Sequence, residues 1–344
     1  MSRVPVVIIT LCRYEHFVRC VESLKKNKLA NETELFIGLD YPKNESHEEG
    51  YKKICGYIDK GIDGFLKVTV VRQKVNIGVR NNFHTIRDEA LKSYDRYIYS
   101  EDDNEYSSNY LEYMNKCMDS FHEDKSVIAV SGYMYPIEMS GAEGNILYLD
   151  KYYSAFGCGE WADKKNLMTQ ELTLDNFKKW YRDIRKMHRL YKESPNQFCN
   201  MVKGMVGYIP ELVQNNKIET TDLAFGLYMF FEDKKMVFPV VSKVRNWGYD
   251  GSGVNCTAQT NETSDDEYHS YDFSKQIIDT HEGFKDIIDG KNMSMKDIDS
   301  RMNVFFHVEK KEIRRTVFAY IVSLCIGIDN TASLIRRITG KSKV

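Results

Sequence analysis

Tyr97-Ile98-Tyr99-Ser100-Glu101-Asp102-Asp103 joins two kinds of chemistry in one short run. Its aromatic and β-branched residues favour an extended strand. Three consecutive carboxylates then end it. Like charges this close repel, and they are tolerated in water or when a cation neutralises them. Hard divalent ions such as Mg²⁺ or Mn²⁺ favour oxygen ligands of this kind and bridge them to substrate phosphates. Taken alone, the triplet reads equally well as a solvated acidic turn, so the flanking sequence has to decide.

Upstream, apolar runs at Val6–Thr10, Glu34–Leu39, 67–71 and 96–100 read as strands. The segments 15–26, 51–58 and 81–93 read as helices. This β-α alternation predicts an α/β fold, a mostly parallel sheet flanked by helices. Ligands of such sheets bind beyond the carboxyl ends of the strands. Arg13, Asp40, Asn76 and Asp103 all follow strand ends, so the topology gathers them on one rim. Gly78 follows Asn76 and suits a backbone position needing positive φ.

Downstream, the pattern predicts a helix over 109–121, a strand over 126–131 and a turn-rich insertion over 140–145. A stretch rich in glycine and aromatic residues follows at 152–163. One long polar helix is expected over 174–193, a helix over Asp222–Phe231 and a strand over 235–241. The polar, acidic stretch 257–271 reads as a mobile loop, and 273–288 as a weakly helical region.

The chain has 344 residues, 42% of them hydrophobic, enough for a substantial core. A formal net charge of −2 gives no reason to expect a nucleic-acid partner. The eight cysteines form no CxxC pair, which argues against zinc knuckles and for reduced thiols in the cytoplasm. No apolar run approaches the roughly 20 residues that span a bilayer, and the first residues lack the pattern of a secretion signal.

An ordered set of motifs carries a family resemblance over roughly residues 3–256. Val6–Thr10 runs into Arg13 and a helix. Then come Asp40-Tyr41-Pro42-Lys43, Val75-Asn76-Ile77-Gly78 and Glu101-Asp102-Asp103. Gly157-Cys158-Gly159-Glu160-Trp161, Thr221-Asp222-Leu223 and Asn246-Trp247-Gly248-Tyr249-Asp250-Gly251-Ser252-Gly253 complete the set. The set resembles the GT-A-fold glycosyltransferases, close to the bacterial family 2 enzymes. Around the acidic triplet it is similar to the N-acetylglucosaminyltransferase I family. The resemblance implies transfer of a sugar from a nucleotide-diphosphate sugar, with UDP the expected nucleotide, to an acceptor hydroxyl. It implies inversion at the sugar carbon and a role in surface polysaccharide or O-antigen assembly, on an acceptor glycan that can be lipid-linked.

By the same resemblance, Asp103 is the metal ligand for Mn²⁺ or Mg²⁺, and Glu101 and Asp102 contact the donor. Thr10, Asp40, Asn76 and Gly78 line the nucleotide site. Arg13 reads equally as a nucleotide contact or a surface salt bridge. Gly251, Ser252 and Gly253 form a loop whose backbone N–H groups suit a phosphate. Two carboxylates qualify as the base that deprotonates the acceptor. Asp222 opens a helix, where it could instead be a cap, and Glu160 stands beside Trp161 in the glycine-rich turn. Trp161 and Trp247 are candidate sugar platforms. His269 and His281 are candidates to complete a metal shell.

Two other functions share this kind of sheet. A sugar nucleotidyltransferase would carry a glycine-rich basic loop after its first strand, but 11–15 contains no glycine. A non-catalytic glycan-binding relative would not need the triplet together with Asp222. The expected organisation is a catalytic domain over 1–256, with a nucleotide-sugar half at 1–104 and an acceptor half at 105–256. A loop and helical region at 257–308 follows, and then a C-terminal segment at 309–344. That segment is apolar over 316–328 and flanked by basic residues, including Arg336, Arg337, Lys341 and Lys343. It is expected either to touch the inner face of a membrane peripherally or to join two copies of the chain.

Overall fold

In the computed structural model, residues 3–139, 141–216, 218, 221–253, 276–290 and 293–327 are described. The loop expected at 257–271, His269 and the basic residues beyond 327 lie outside them.

Eight strands form one sheet in the order β3-β2-β1-β4-β8-β6-β9-β7. They are β1 (Val6–Thr10), β2 (Glu34–Leu39), β3 (Lys67–Arg72), β4 (Arg96–Glu101), β6 (Val127–Ser131), β7 (Ile146–Leu149), β8 (Cys158–Trp161) and β9 (Lys235–Pro239). β1 to β4 are parallel, as are β6 and β9, whereas β8 and β7 run antiparallel to their neighbours. A separate ribbon pairs β5 (Asn104–Tyr106) with β10 (Val244–Asn246). The mixed α/β architecture with a mostly parallel central sheet is the one expected from the sequence.

The β1 run is wholly apolar up to its final threonine because helices cover both faces of the sheet. Val6 and Ile8 belong to one core, packed with Phe17 and Leu24 of helix α1 (Tyr14–Lys25). Val7 and Ile9 belong to the other, with Ile86 and Ala90 of helix α3 (Gly78–Ala90). Helix α2 (Glu48–Asp59) packs on α1, and α4 (Tyr110–Ser120) lies on the α1 side. The strand order turns at β1, with β2 on one side and β4 on the other. A crevice therefore opens beyond the ends of β1 and β4. Thr10 to Arg13 and Glu101 to Asp103 stand at those ends.

Three expectations change. The polar stretch 174–193 is two helices, α6 (Leu174–Arg182) and α7 (Ile184–Glu193), because Asp183 leaves helical geometry and its side chain accepts from Lys186 N at 3.0 Å. A side chain bonded to nearby backbone N–H groups starts a new helix rather than continuing the old one. The described part of the supposed helical region, 276–288, is not helical, and Asp289, just past it, bridges to Ile146 of β7. The glycine-aromatic stretch supplies β8 and then helix α5 (Ala162–Glu171). Beyond these lie α8 (Pro195–Asn215), α9 (Asp222–Phe231), α10 (Met295–Met302) and α11 (Lys310–Ile326). Met302, Phe305, Ala319 and Tyr320 join the same core as the central strands, so the C-terminal helices pack onto the sheet domain.

Candidate active site

The register explains the first contact of the site. Ile9 of β1 lies opposite Glu101 of β4, so the next residues on each chain meet. Thr10 Oγ1 donates to Asp102 Oδ2 at 2.8 Å. Arg13, one step before α1, donates from Nη2 to the other Asp102 oxygen, and its Nη1 lies 2.8 Å from Asp103 Oδ2. Burial works against the guanidinium charge, but Asp102 and then Asp103 outweigh it and hold Arg13 firmly protonated. Of the two readings left open for Arg13, the contact observed is this buried double ion pair.

One guanidinium does not neutralise three carboxylates. Glu101 receives a hydrogen bond from Tyr99 Oη at 3.1 Å. Even so, burial, followed by repulsion from Asp103, pushes its pKa up to about 8. Burial also raises Asp102. Asp103 Oδ1 accepts from Asn246 Nδ2 at 2.8 Å, and its backbone carbonyl accepts from Trp247 N at 2.8 Å. The β5–β10 ribbon thus brings the 246–253 loop against the triplet. Gly248 is required there, since a Cβ would come within 2.3 Å of Asp103 Oδ2.

The donor set suits a hard divalent ion: oxygen ligands with excess negative charge. An ionised carboxylate has about four acceptor positions, and Asp103 uses one on each oxygen. Among the described residues no group of three His, Cys, Asp or Glu side chains is arranged to hold a metal alone. Phosphate and water oxygens would have to complete the shell. His281 does not help, because it pairs with Asp279, which is itself held by Lys243 and Asn109.

Asp40 is buried, and its carboxylate is already saturated. Oδ1 accepts from Tyr41 N at 2.9 Å and Ile77 N at 3.0 Å. Oδ2 accepts from Gly78 N at 2.9 Å and Asn76 Nδ2 at 3.2 Å. All four acceptor positions are taken, so Asp40 acts here as the fastener of the loop entering α3. Gly78 has φ +80°, the positive value its position suggested. Around this loop Tyr41, Val75 and Val79 stay exposed.

The Gly251-Ser252-Gly253 loop is tied to the first turn of α1. His16 Nε2 lies 2.9 Å from Asp250 Oδ2, while Asp250 Oδ1 accepts from Ser252 N at 2.9 Å and Ser252 Oγ at 2.6 Å. These bonds overcome burial and lower the Asp250 pKa to about 2. Trp247 is half-buried, with the Arg19 guanidinium 4.3 Å above its ring.

The two candidate bases part company. Glu160 sits in β8 opposite Tyr97 and is almost fully buried. It accepts from Tyr97 Oη at 2.5 Å and Lys165 Nζ at 2.5 Å, and also from Tyr153 Oη. Burial alone would raise its pKa, but Lys165 and these donors bring it below the ordinary carboxylate value. A carboxylate so enclosed cannot meet an acceptor hydroxyl. Trp161, wholly buried with Lys164 Nζ 3.9 Å from its ring centre, pairs with Arg96 at the opposite end of β4, so it is no sugar platform.

Asp222 is the first residue of α9, but it is not the cap. Thr221 accepts from Ala224 N through its side chain at 3.2 Å and fills that role. Asp222 stays open to solvent while protein crowds its carboxylate. Burial raises its pKa to about 6, against the attraction of Lys165 and a hydrogen bond from the Ala155 backbone. Ala155 lies three residues before Cys158, which pairs with Tyr99, two residues before Glu101. Asp222 therefore lies beside the chain that leads into β8 at the end of the sheet where β4 delivers the triplet.

Sequence reasoning missed Asn246 as the partner of Asp103, His16 as the clasp of the 250–253 loop, and Lys165. Asn246 lay inside a quoted motif, whereas His16 and Lys165 had no signal beyond their helices.

No protein-family model matches the chain, and no curated protein matches it. Partial likeness is found to solved structures. S. aureus TarS matches at 15% identity over 42% of this chain and 24% of that one, with a TM-score of 0.30. The 1-349 portion of S. aureus TarS matches at 15% identity over 48% and 49%, with a TM-score of 0.34. The mannosyltransferase PcManGT from Pyrobaculum calidifontis, in complex with GDP-Man and Mn²⁺, matches at 11% identity over 67% and 68%, with a TM-score of 0.36. The chain thus spans about a quarter and about half of the two TarS chains it resembles.

Proposed function

We propose that the protein is a metal-dependent glycosyltransferase that moves a sugar from a nucleotide-diphosphate sugar, with UDP the expected nucleotide, to an acceptor hydroxyl with inversion. The observation that supports this reading most is the under-neutralised carboxylate triplet at the end of β4, and an open carboxylate raised to about 6 supplies a base for it.

The exposed Tyr41 ring with Val75 and Val79 offers a nucleobase an apolar wall. Gly251 and Gly253 would offer backbone N–H groups to a diphosphate, Ser252 N being held by Asp250 Oδ1. Asp103, with phosphate oxygens, would hold Mn²⁺ or Mg²⁺, which neutralises the charge growing on the leaving diphosphate. Arg13 and Asn246 fix the Asp103 carboxylate, so it need not reorganise as that charge develops. Asp222 takes the proton of the acceptor hydroxyl as its oxygen bonds to the anomeric carbon. The bond from that carbon to the phosphate oxygen breaks, and its electron pair leaves on the nucleoside diphosphate. A pKa near 6 leaves Asp222 ionised and basic enough at neutral pH. The acceptor class in this proposal is a glycan hydroxyl of a cell-surface polysaccharide or O-antigen, and the transferred group is a hexose or N-acetylhexosamine.

A panel of sugar nucleotides assayed for nucleoside diphosphate release, with and without divalent ion and glycan acceptors, tests the proposal. Release that needs both metal and acceptor supports it. Formation of a nucleoside triphosphate and a sugar 1-phosphate when pyrophosphate is added would instead make the protein a nucleotidyltransferase. Glycan binding with no release from any donor would make it a lectin-like relative.

A further inference from the structure

Helix α11 has two unlike sides. Its inner side, Thr316, Ala319, Tyr320 and Ser323, is buried against α6 and α8. The Tyr181 and Ser323 hydroxyls are 2.6 Å apart, Tyr320 Oη donates to Tyr181 O at 3.0 Å, and the Tyr320 ring is 5.7 Å from that of Phe198. The solvent side follows helical spacing. It begins with Lys311, Arg314 and Arg315 and continues through Phe318 at 61% exposure, Ile321 at 56% and Ile326 at 42%. Large apolar side chains left open on successive turns beside cations mark a contact surface rather than a solvated one.

The neighbouring helix extends this surface. Tyr191 of α7 reaches α11 through the ring series Tyr191–Phe198–Tyr320. One helical stripe of α7 leaves Ile184, His188 and Tyr191 exposed, with Arg185 and Lys192 beside it. Charge is concentrated here. Residues 174–193 hold seven Lys and Arg against three Asp and Glu, and 310–326 hold four against one, in a chain whose net charge is −2.

We propose that this face, α11 with the adjoining edge of α7, docks on an anionic lipid bilayer. No helix among the described residues is long and apolar enough to cross a membrane. α11 would instead lie in the plane of the interface, with Phe318, Ile321 and Ile326 entering the acyl boundary while Lys311, Arg314 and Arg315 stay among the headgroups. Charge complementarity selects this occupant, because a second copy of the same face would set like cations against each other. The helix also has a defined direction. Lys203 of α8 pairs with Glu312, and Phe198 meets Tyr320, so α8 and α11 run antiparallel. Tyr208, further along α8, touches Thr221 beside Asp222. The basic end of the docking face is therefore its end nearer the candidate site. The docking itself does not depend on the transfer reading.

Flotation of the full chain with phosphatidylcholine vesicles, with and without phosphatidylglycerol, tests the proposal. Binding is expected to anionic vesicles only and to fall at high salt. Replacing both Arg314→Glu and Arg315→Glu should weaken it roughly 25-fold or more, at about five-fold per cation. Phe318→Ser with Ile321→Ser should abolish it. These side chains are exposed, so thermal melting should show both variants folded. Equal flotation on neutral vesicles, no flotation of the wild type, or variants that float like it would each overturn the proposal. A wild-type dimer that Phe318→Ser with Ile321→Ser dissociates, without flotation, would assign the face to a second copy and overturn it as well.

Discussion

The start of α9 and the middle of β8 each place one carboxylate within the field of Lys165, and the two behave oppositely. Glu160 is enclosed by three donors and drops below its ordinary pKa. Asp222 is crowded by protein but left with one backbone donor, and it rises to about 6. The difference teaches that burial alone does not make a carboxylate reactive. What counts is burial without enough compensating donors, at a place a substrate can reach.

The largest effect is expected of Asp222→Asn. It keeps the volume and leaves the Thr221 cap in place. Turnover should fall about 10²–10⁴-fold while donor affinity measured by calorimetry stays near wild type. Glu160→Gln tests the other side. It strands Lys165 beside a neutral group, so denaturant melts should show a loss of up to about 3–5 kcal/mol. Turnover per folded molecule should survive.

Lys165→Met shifts the pH dependence of Asp222. In the wild type, turnover should rise with pH up to about 6 and level above it, because only the ionised Asp222 accepts a proton. Removing the cation that favours ionisation moves that limb upward. The linked stability has the opposite sign. A carboxylate raised in the folded state stabilises the fold below its ordinary value of 3.8, and that contribution is lost as pH rises through about 6. Asp222→Asn should therefore melt higher than wild type at neutral pH and no higher in strong acid. The smallest effect belongs to Thr221→Ala, which removes the cap and should cost about 1 kcal/mol.

Much of the sheet was legible because strands buried on both faces are continuous apolar runs. The expected strands β1 and β2 match residue for residue, and β3 and β4 within one residue. β7 and β8 were not legible. They are four residues each, and β8 reads Cys-Gly-Glu-Trp, with a glycine and a charge where a strand usually shows alternation. That charge is tolerated only because Tyr97, 63 residues away, converges on it with Tyr153 and Lys165 from either side along the chain. Asp183 broke a helix that periodicity extended, since the amphipathic pattern continues across the break. In the site, the triplet stood out as a charge cluster, but only the order of the flanking strands and motifs separated it from a solvated acidic turn. Its partners were not: Arg13 and Asn246 stand 89 and 143 residues from the carboxylates they hold, and no local pattern encodes such pairs.

In the proposed reaction Asp222, and not Glu160, takes the acceptor proton. Single-turnover nucleoside diphosphate release at saturating donor and acceptor, followed across pH for wild type, Asp222→Asn and Glu160→Gln, tests it most directly. The wild-type rate should climb to a plateau above about pH 6, folded Glu160→Gln should keep that limb, moved lower by loss of the like charge, and Asp222→Asn should show a low, flat profile. A wild-type rate in Asp222→Asn, or a dead but folded Glu160→Gln, would contradict it.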